Sequence, residues 1–262
     1  MIDIHPPHKS DHTWTDFFIH IATICVGLII AIGLEQTVEA VHHLHQRREL
    51  EENLHSELHA DLRRDAVDFR IFADIRAYTL QLSSAVSARR AGKPSPAAPP
   101  ASTDNRRSEV PFAPSIAIWD TAKLDATITL LPATEIELYH GIVLQHDLLF
   151  NALDDFQHAA LALEAFEERF VDSPGAFDMG YPAPIPNLDT MSPADLAQYQ
   201  SLLAAYIKTV DRIVVRLHFF DRVTRAVLDG ATDRDDLTRR AFPDGKPPDL
   251  TVPSPATRSA TP

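Results

Sequence analysis

The chain has 262 residues, with 24 lysines and arginines against 37 aspartates and glutamates, a formal charge of −13. That sign argues against a nucleic-acid-binding domain, because a phosphate backbone attracts the opposite charge. The 45 % hydrophobic and 23 % charged content suits one sizeable core or two small ones and excludes global disorder, while the single cysteine, Cys25, can close no intrachain disulfide and build no cysteine-rich metal site.

A polar arm over 1–16 leads into residues 17–34, FFIHIATICVGLIIAIGL, which contain no Asp, Glu, Lys or Arg. This length lies at the lower edge of the roughly 17–25 residues a membrane-spanning helix needs. Trp14, Phe17 and Phe18 gather at its start, where an aromatic belt belongs. A transmembrane helix is the reading these features support. The rival is a cleaved signal peptide, since Ala31-Ile32-Gly33 offers a small-x-small site, but the arm sets Lys9 against Asp3, Asp11 and Asp16 and so lacks a positive n-region. A buried helix of a soluble protein is a further alternative, requiring protein on all sides of an apolar stretch that polar segments follow.

Proline marks the later boundaries. Of the 20 prolines, six fall in 93–114, five in 172–193 and six in 241–262. Proline removes a backbone donor and clashes inside a helix, so long helices belong to the stretches between these clusters. The first, a juxtamembrane helix over 35–91, repeats Leu54, Leu58, Leu62, Phe69, Phe72, Ile75, Leu82 and Val86 near the helical period. After a Pro-rich linker over 92–114, the region 115–171 holds a short helix ending before Pro132 and a long one. In the long one Ile142, Leu149, Phe156, Leu163 and Phe170 recur every seven residues, with Leu153 and Ala160 in the adjacent row. A Pro-rich loop over 172–192 precedes a helix over 193–240, whose Leu196, Tyr199, Leu203, Tyr206, Val210, Ile213, Leu217, Phe220, Thr224 and Val227 alternate by three and four. Ser192-Pro193-Ala194-Asp195 opens it like a capping box. The tail over 241–262 is Pro-rich and poor in apolar residues, which predicts disorder. The expected fold is all-α: a transmembrane helix continuing into a long helix, then an antiparallel bundle of about three long helices and one short one.

Few motifs carry chemistry. His20, Thr23, Gly27 and Ala31 stack on one side of the apolar helix as a small-xxx-small face, suited to a second copy or a partner helix in the membrane. His55 and His59 lie four apart with Glu51 and Glu52 a turn earlier, a weak metal spacing. The acid sits mid-motif and fits neither the His-Glu-x-x-His nor the inverted order, so a solvated, pH-responsive histidine neck is the plainer reading. Phosphate-binding glycine loops and the Gly-x-Ser-x-Gly elbow are absent, and the pairs Asp154/Asp155 and Glu167/Glu168 read as a solvated face. No catalytic or cofactor-binding residue is assigned. Trp119 is either an anchor pinning the short helix onto the long ones or an exposed docking residue.

The opening His5-Pro6-Pro7-His8, the Trp14-x2-Phe17-Phe18-Ile19-His20 run, GLIIAIGLEQTVE over 27–39, the His42-His43-x-His45-Gln46 neck and Trp119-Asp120-Thr121-Ala122 together resemble an uncharacterised family of bacterial single-pass membrane proteins. The resemblance is specific over 4–48 and thin over 115–139. It implies a bacterial envelope protein, supports the anchor, and supplies no catalytic residue; the anchor is expected in the inner membrane, with lipid as a partner. The function expected is a membrane-anchored scaffold or interaction module. A ligand-sensing bundle signalling through a partner protein is the alternative, followed by a His/Glu metal-dependent enzyme. Lys9 faces Arg47 and Arg48 across the span, a bias too small to orient it. A long domain crosses regardless of charge, and a periplasmic bundle is expected on that ground.

Overall fold

A computed structural model of the chain describes residues 14–94, 114–171 and 186–245. The polar arm before Trp14 and most of the linker over 92–114, the loop over 172–192 and the tail over 241–262 lie outside the described residues. Among the described residues there is no strand. The elements are α1 (Trp14–Arg90), α2 (Ala117–Leu124), α3 (Ala133–Glu167), α4 (Pro193–Leu228) and α5 (Arg234–Ala241), with short 3-10 turns between them. The protein is all-α. It divides into two compact units, Met1–Glu51 and Glu52–Pro262, and α1 enters both without a break.

The first unit is helical from Trp14 onward. It contains an apolar window long enough to cross a membrane, no part of which is buried. Thr23 and Thr37 donate their hydroxyls to the carbonyls of Ile19 and Gly33 at 2.8 and 2.7 Å, so neither leaves a polar group unmet on that apolar helix.

In the second unit the remainder of α1 packs with α3 and α4. Along α1 and α4 the pairs Phe69–His218, Arg76–Asp211 at 2.5 Å and Ser83–Gln200 at 2.7 Å run in opposite numerical directions, so the two helices are antiparallel. The same holds for α3 and α4 through Asp155–Arg212, Phe156–Tyr206 and Phe166–Tyr199. Hence α1 and α3 are parallel to each other, a departure from simple up-down order. At the centre Phe156 meets Phe72 edge-to-face at 5.5 Å and Tyr206 at 5.2 Å, and all three are fully buried. Every member of the α4 stripe is buried, Thr224 included.

Caps set the helix limits. The Ser192 hydroxyl accepts from the Asp195 N–H at 3.2 Å while the Asp195 carboxylate accepts from the Ser192 N–H at 3.2 Å, with Pro193 in the first helical position. The single helix expected over 193–240 is two helices. Gly230 adopts φ 80°, the left-handed conformation glycine tolerates, and the Ala231 N–H returns to the Ala226 carbonyl at 3.0 Å, closing α4. Asp233 then accepts the N–H groups of Asp235 and Asp236 and starts α5.

Candidate functional site

Traced backwards from the core residue Val86, the inward row of α1 is 82, 79, 75, 72, 68, 65, 61, 58 and 54, alternating by three and four. All these positions are buried. Its upper part is apolar apart from Thr79, whose hydroxyl donates to the Ile75 carbonyl at 2.7 Å. Its lower part places Asp61, Asp65 and Asp68 in succession on the core face, at only 1, 1 and 6 % exposure. Three carboxyl groups one turn apart in a core are costly unless paired or protonated.

Each of the three has a different environment. The Asp61 carboxyl accepts the Ser115 N–H at 3.2 Å on both oxygens and lies 3.6 Å from Arg64. Burial nonetheless outweighs that hydrogen bond and, with the Glu57 charge adding to it, raises the carboxyl to about 6, against the pull of Arg64 and His146. Asp65 is pushed furthest, to about 8, by burial first and then by the negative charges of Asp221, Asp68 and Asp61, with Arg225 opposing. Among the described residues its Oδ2 has no hydrogen-bond partner. Arg225 is committed elsewhere, gripping Asp221 with two bonds at 2.8 and 2.9 Å. Burial raises Asp68 to about 6, with Arg64 opposing. On α4, the His218 ring meets that of Phe69 at 4.4 Å in a tilted contact, and burial together with the Arg222 charge holds its imidazole below the usual range. All three carboxyls on this face are held above the usual carboxylate range, Asp65 furthest, so the face keeps protons at pH values where exposed aspartates have lost theirs.

Glu57, one turn before Asp61, has another task. Its carboxylate accepts from the Ser115 hydroxyl at 2.7 Å and the N–H groups of Ala117 and Ile118 at 3.0 and 3.3 Å, capping α2 from a different helix. Ile116, the residue at the cap position, contributes no side-chain bond. Replacing Glu57 with alanine is expected to weaken the docking of α2 by about 1–2 kcal/mol, seen as faster amide exchange at Ala117 and Ile118.

Of the residues singled out from sequence, His55, His59 and Glu52 are exposed on α1, and Glu51 bonds Arg47 at 2.5 Å. Among the described residues no group of three or more His, Cys, Asp or Glu side chains is placed to hold a metal. His20, Thr23, Gly27 and Ala31 are all exposed on the apolar part of α1. Trp119 is 2 % exposed, stacked on Tyr139 at 5.7 Å with His140 against its edge at 5.2 Å. That burial matches the pinning role and excludes the exposed docking one. Asp154, Asp155 and Glu168 lie on the solvated face as expected, but Glu167 does not. It is fully buried and accepts the Tyr199 hydroxyl at 2.5 Å, because α3 ends there against the start of α4.

Sequence reasoning missed the aspartates of α1. The signal that reaches them is the strict alternation of three and four, carried down from Phe72 past the point where apolar residues stop. Comparison with protein-family models, curated proteins and solved structures finds no match.

Proposed function

We propose that this chain is a single-pass, membrane-anchored helical-bundle protein of the bacterial envelope, serving as a scaffold or interaction module. The observation that carries the reading is the apolar run 17–34. Every residue of it is exposed, although it contains nine isoleucines, leucines and valines at 42–69 % exposure that water would penalise. A hydrocarbon environment removes that penalty, and the flanking Trp14, Phe17 and Phe18 suit its boundary. In this reading the inner membrane holds the anchor, the bundle lies in the periplasm, and the chain associates through its membrane helix. Fractionation of cells expressing the full chain tests the anchor. The expected result is a membrane pellet resistant to salt and carbonate and released by detergent, with the mature protein still containing residues 17–34 by mass spectrometry. Recovery from the aqueous fraction, or a mature terminus near Leu34, overturns it. A reporter fused at the C-terminus reads out the side of the membrane.

The acidic row favours a second reading, a sensory bundle whose packing responds to its surroundings and is relayed by a partner protein. Its expected signature is a shift in melting of the bundle when a bound small molecule or a proton reaches Asp61, Asp65 or Asp68.

A further inference from the structure

Lipid accounts for the exposure of residues 17–34 but not for that of the next two turns of α1. Val38 and Val41 are 69 and 63 % exposed in a stretch that also carries Glu35, Glu39, His42 and His43. Ile24, Gly27, Ala31, Leu34, Val38 and Val41 succeed one another by three, four, three, four and three residues, and His20 and His45 extend the same alternation at either end. That period is 3.5 residues, the period of a seam between supercoiled helices, and it runs through the end of the apolar segment without a stutter.

We propose that this face is covered by a second copy of the chain, as a parallel, in-register two-stranded coiled coil beginning inside the membrane and continuing into the neck. The proposal rests on the anchored reading above for its orientation, since copies inserted the same way are parallel. The residue types specify the partner. Ile24 and Val38 put β-branched side chains at a and Leu34 puts leucine at d, the choice that favours two parallel strands. Gly27 and Ala31 let the backbones approach where lipid offers no hydrophobic drive. The flanking e and g positions set no two like charges opposite each other over this stretch, because Glu35 faces an isoleucine, His42 a threonine and Glu49 a leucine of the other copy. The four large aliphatic side chains of each copy, taken at about 60–120 Å² apiece, hide roughly 500–950 Å² over the two copies, and close backbone contact at Gly27 and Ala31 adds to that, which puts the seam at the low end of specific interfaces. A Cβ at Gly27 meets nothing within 4 Å in the single chain, so enlarging it probes the contact between copies and leaves the helix itself unstrained.

The test is a cysteine scan of the full chain in its membrane, in a Cys25→Ser background. Val38→Cys and Val41→Cys are expected to give oxidative dimers at least several-fold more efficiently than Glu39→Cys, Ala40→Cys or His43→Cys. Adding Gly27→Ile is expected to reduce the Val38→Cys dimer several-fold. A flat profile, a maximum off the seam, no crosslink, or adducts whose mass shows a different protein each overturns the proposal. Partition between membrane and aqueous fractions is scored on the same samples. A soluble chain overturns the anchor, and within it dimers at 38 and 41 still uphold the seam while their absence overturns it.

Discussion

Replacing Asp65 with asparagine is expected to raise the melting temperature of the bundle by about 10 °C at pH 8 and to leave it nearly unchanged at pH 4. Asparagine keeps the shape and polarity of the protonated carboxyl and cannot ionise. Linkage gives the sign. Burial lifts the folded Asp65 from its ordinary 3.8 to about 8, so between those values the folded chain holds a proton that the unfolded chain has released. The stability tied to that proton is fully present below about pH 4 and is lost as the pH rises towards 8, by roughly 3–5 kcal/mol. Asp61 and Asp68, each raised to about 6, add losses of the same sign between about pH 4 and 6. His218 acts in the opposite sense: its folded value is lowered, so its contribution is lost as the pH falls through the histidine range. The aspartates at the helix starts, Asp195, Asp233 and Asp236, held low by the hydrogen bonds they accept, lose theirs only in stronger acid. Thermal unfolding from pH 4 to 8, in wild type and Asp65→Asn, checks this. A variant no more stable than wild type at pH 8 would mean that Asp65 is ionised and paired in the folded state.

Truncating Phe156 to alanine is expected to cost about 3–5 kcal/mol, the largest loss from any single core position here. The ring is fully buried and is the point where the three long helices meet, through Phe72 of α1 and Tyr206 of α4. Its removal leaves a cavity walled by two other aromatic residues, which cannot collapse inward without moving whole helices. Chemical denaturation gives the measurement. A loss below about 1 kcal/mol would place the packing centre elsewhere.

Much of this fold was legible in the order of the residues. The seven-residue series from Ile142 and the alternating stripe from Leu196 describe rows that point inward in α3 and α4, since a helix brings every third and fourth residue to one side. Ser192 to Asp195 announced a helix start because capping is a local event among four residues. The apolar run after Trp14 announced an exposed helix of membrane length for the same reason, as hydropathy needs no partner to be read.

What the chain order could not supply lies wherever a residue's role depends on a distant one. Gly230 was legible as a glycine, yet the end of α4 there required a left-handed turn that the continuing periodicity concealed. Glu57 looks like any acid on a helix until the start of α2 arrives beside it, sixty residues on. Nothing in their residue type marks Asp61, Asp65 and Asp68 as buried, because aspartate is usually solvated. Their burial came from α4 lying antiparallel against the same face of α1, so that Asp221 and Arg225 stand opposite. Local periodicity, capping and hydropathy are properties of neighbours along the chain and were determined by the sequence itself. Which carboxyl groups lose their water, and so hold their protons, depended on how the three long helices close on one another, and only the tertiary structure decided that.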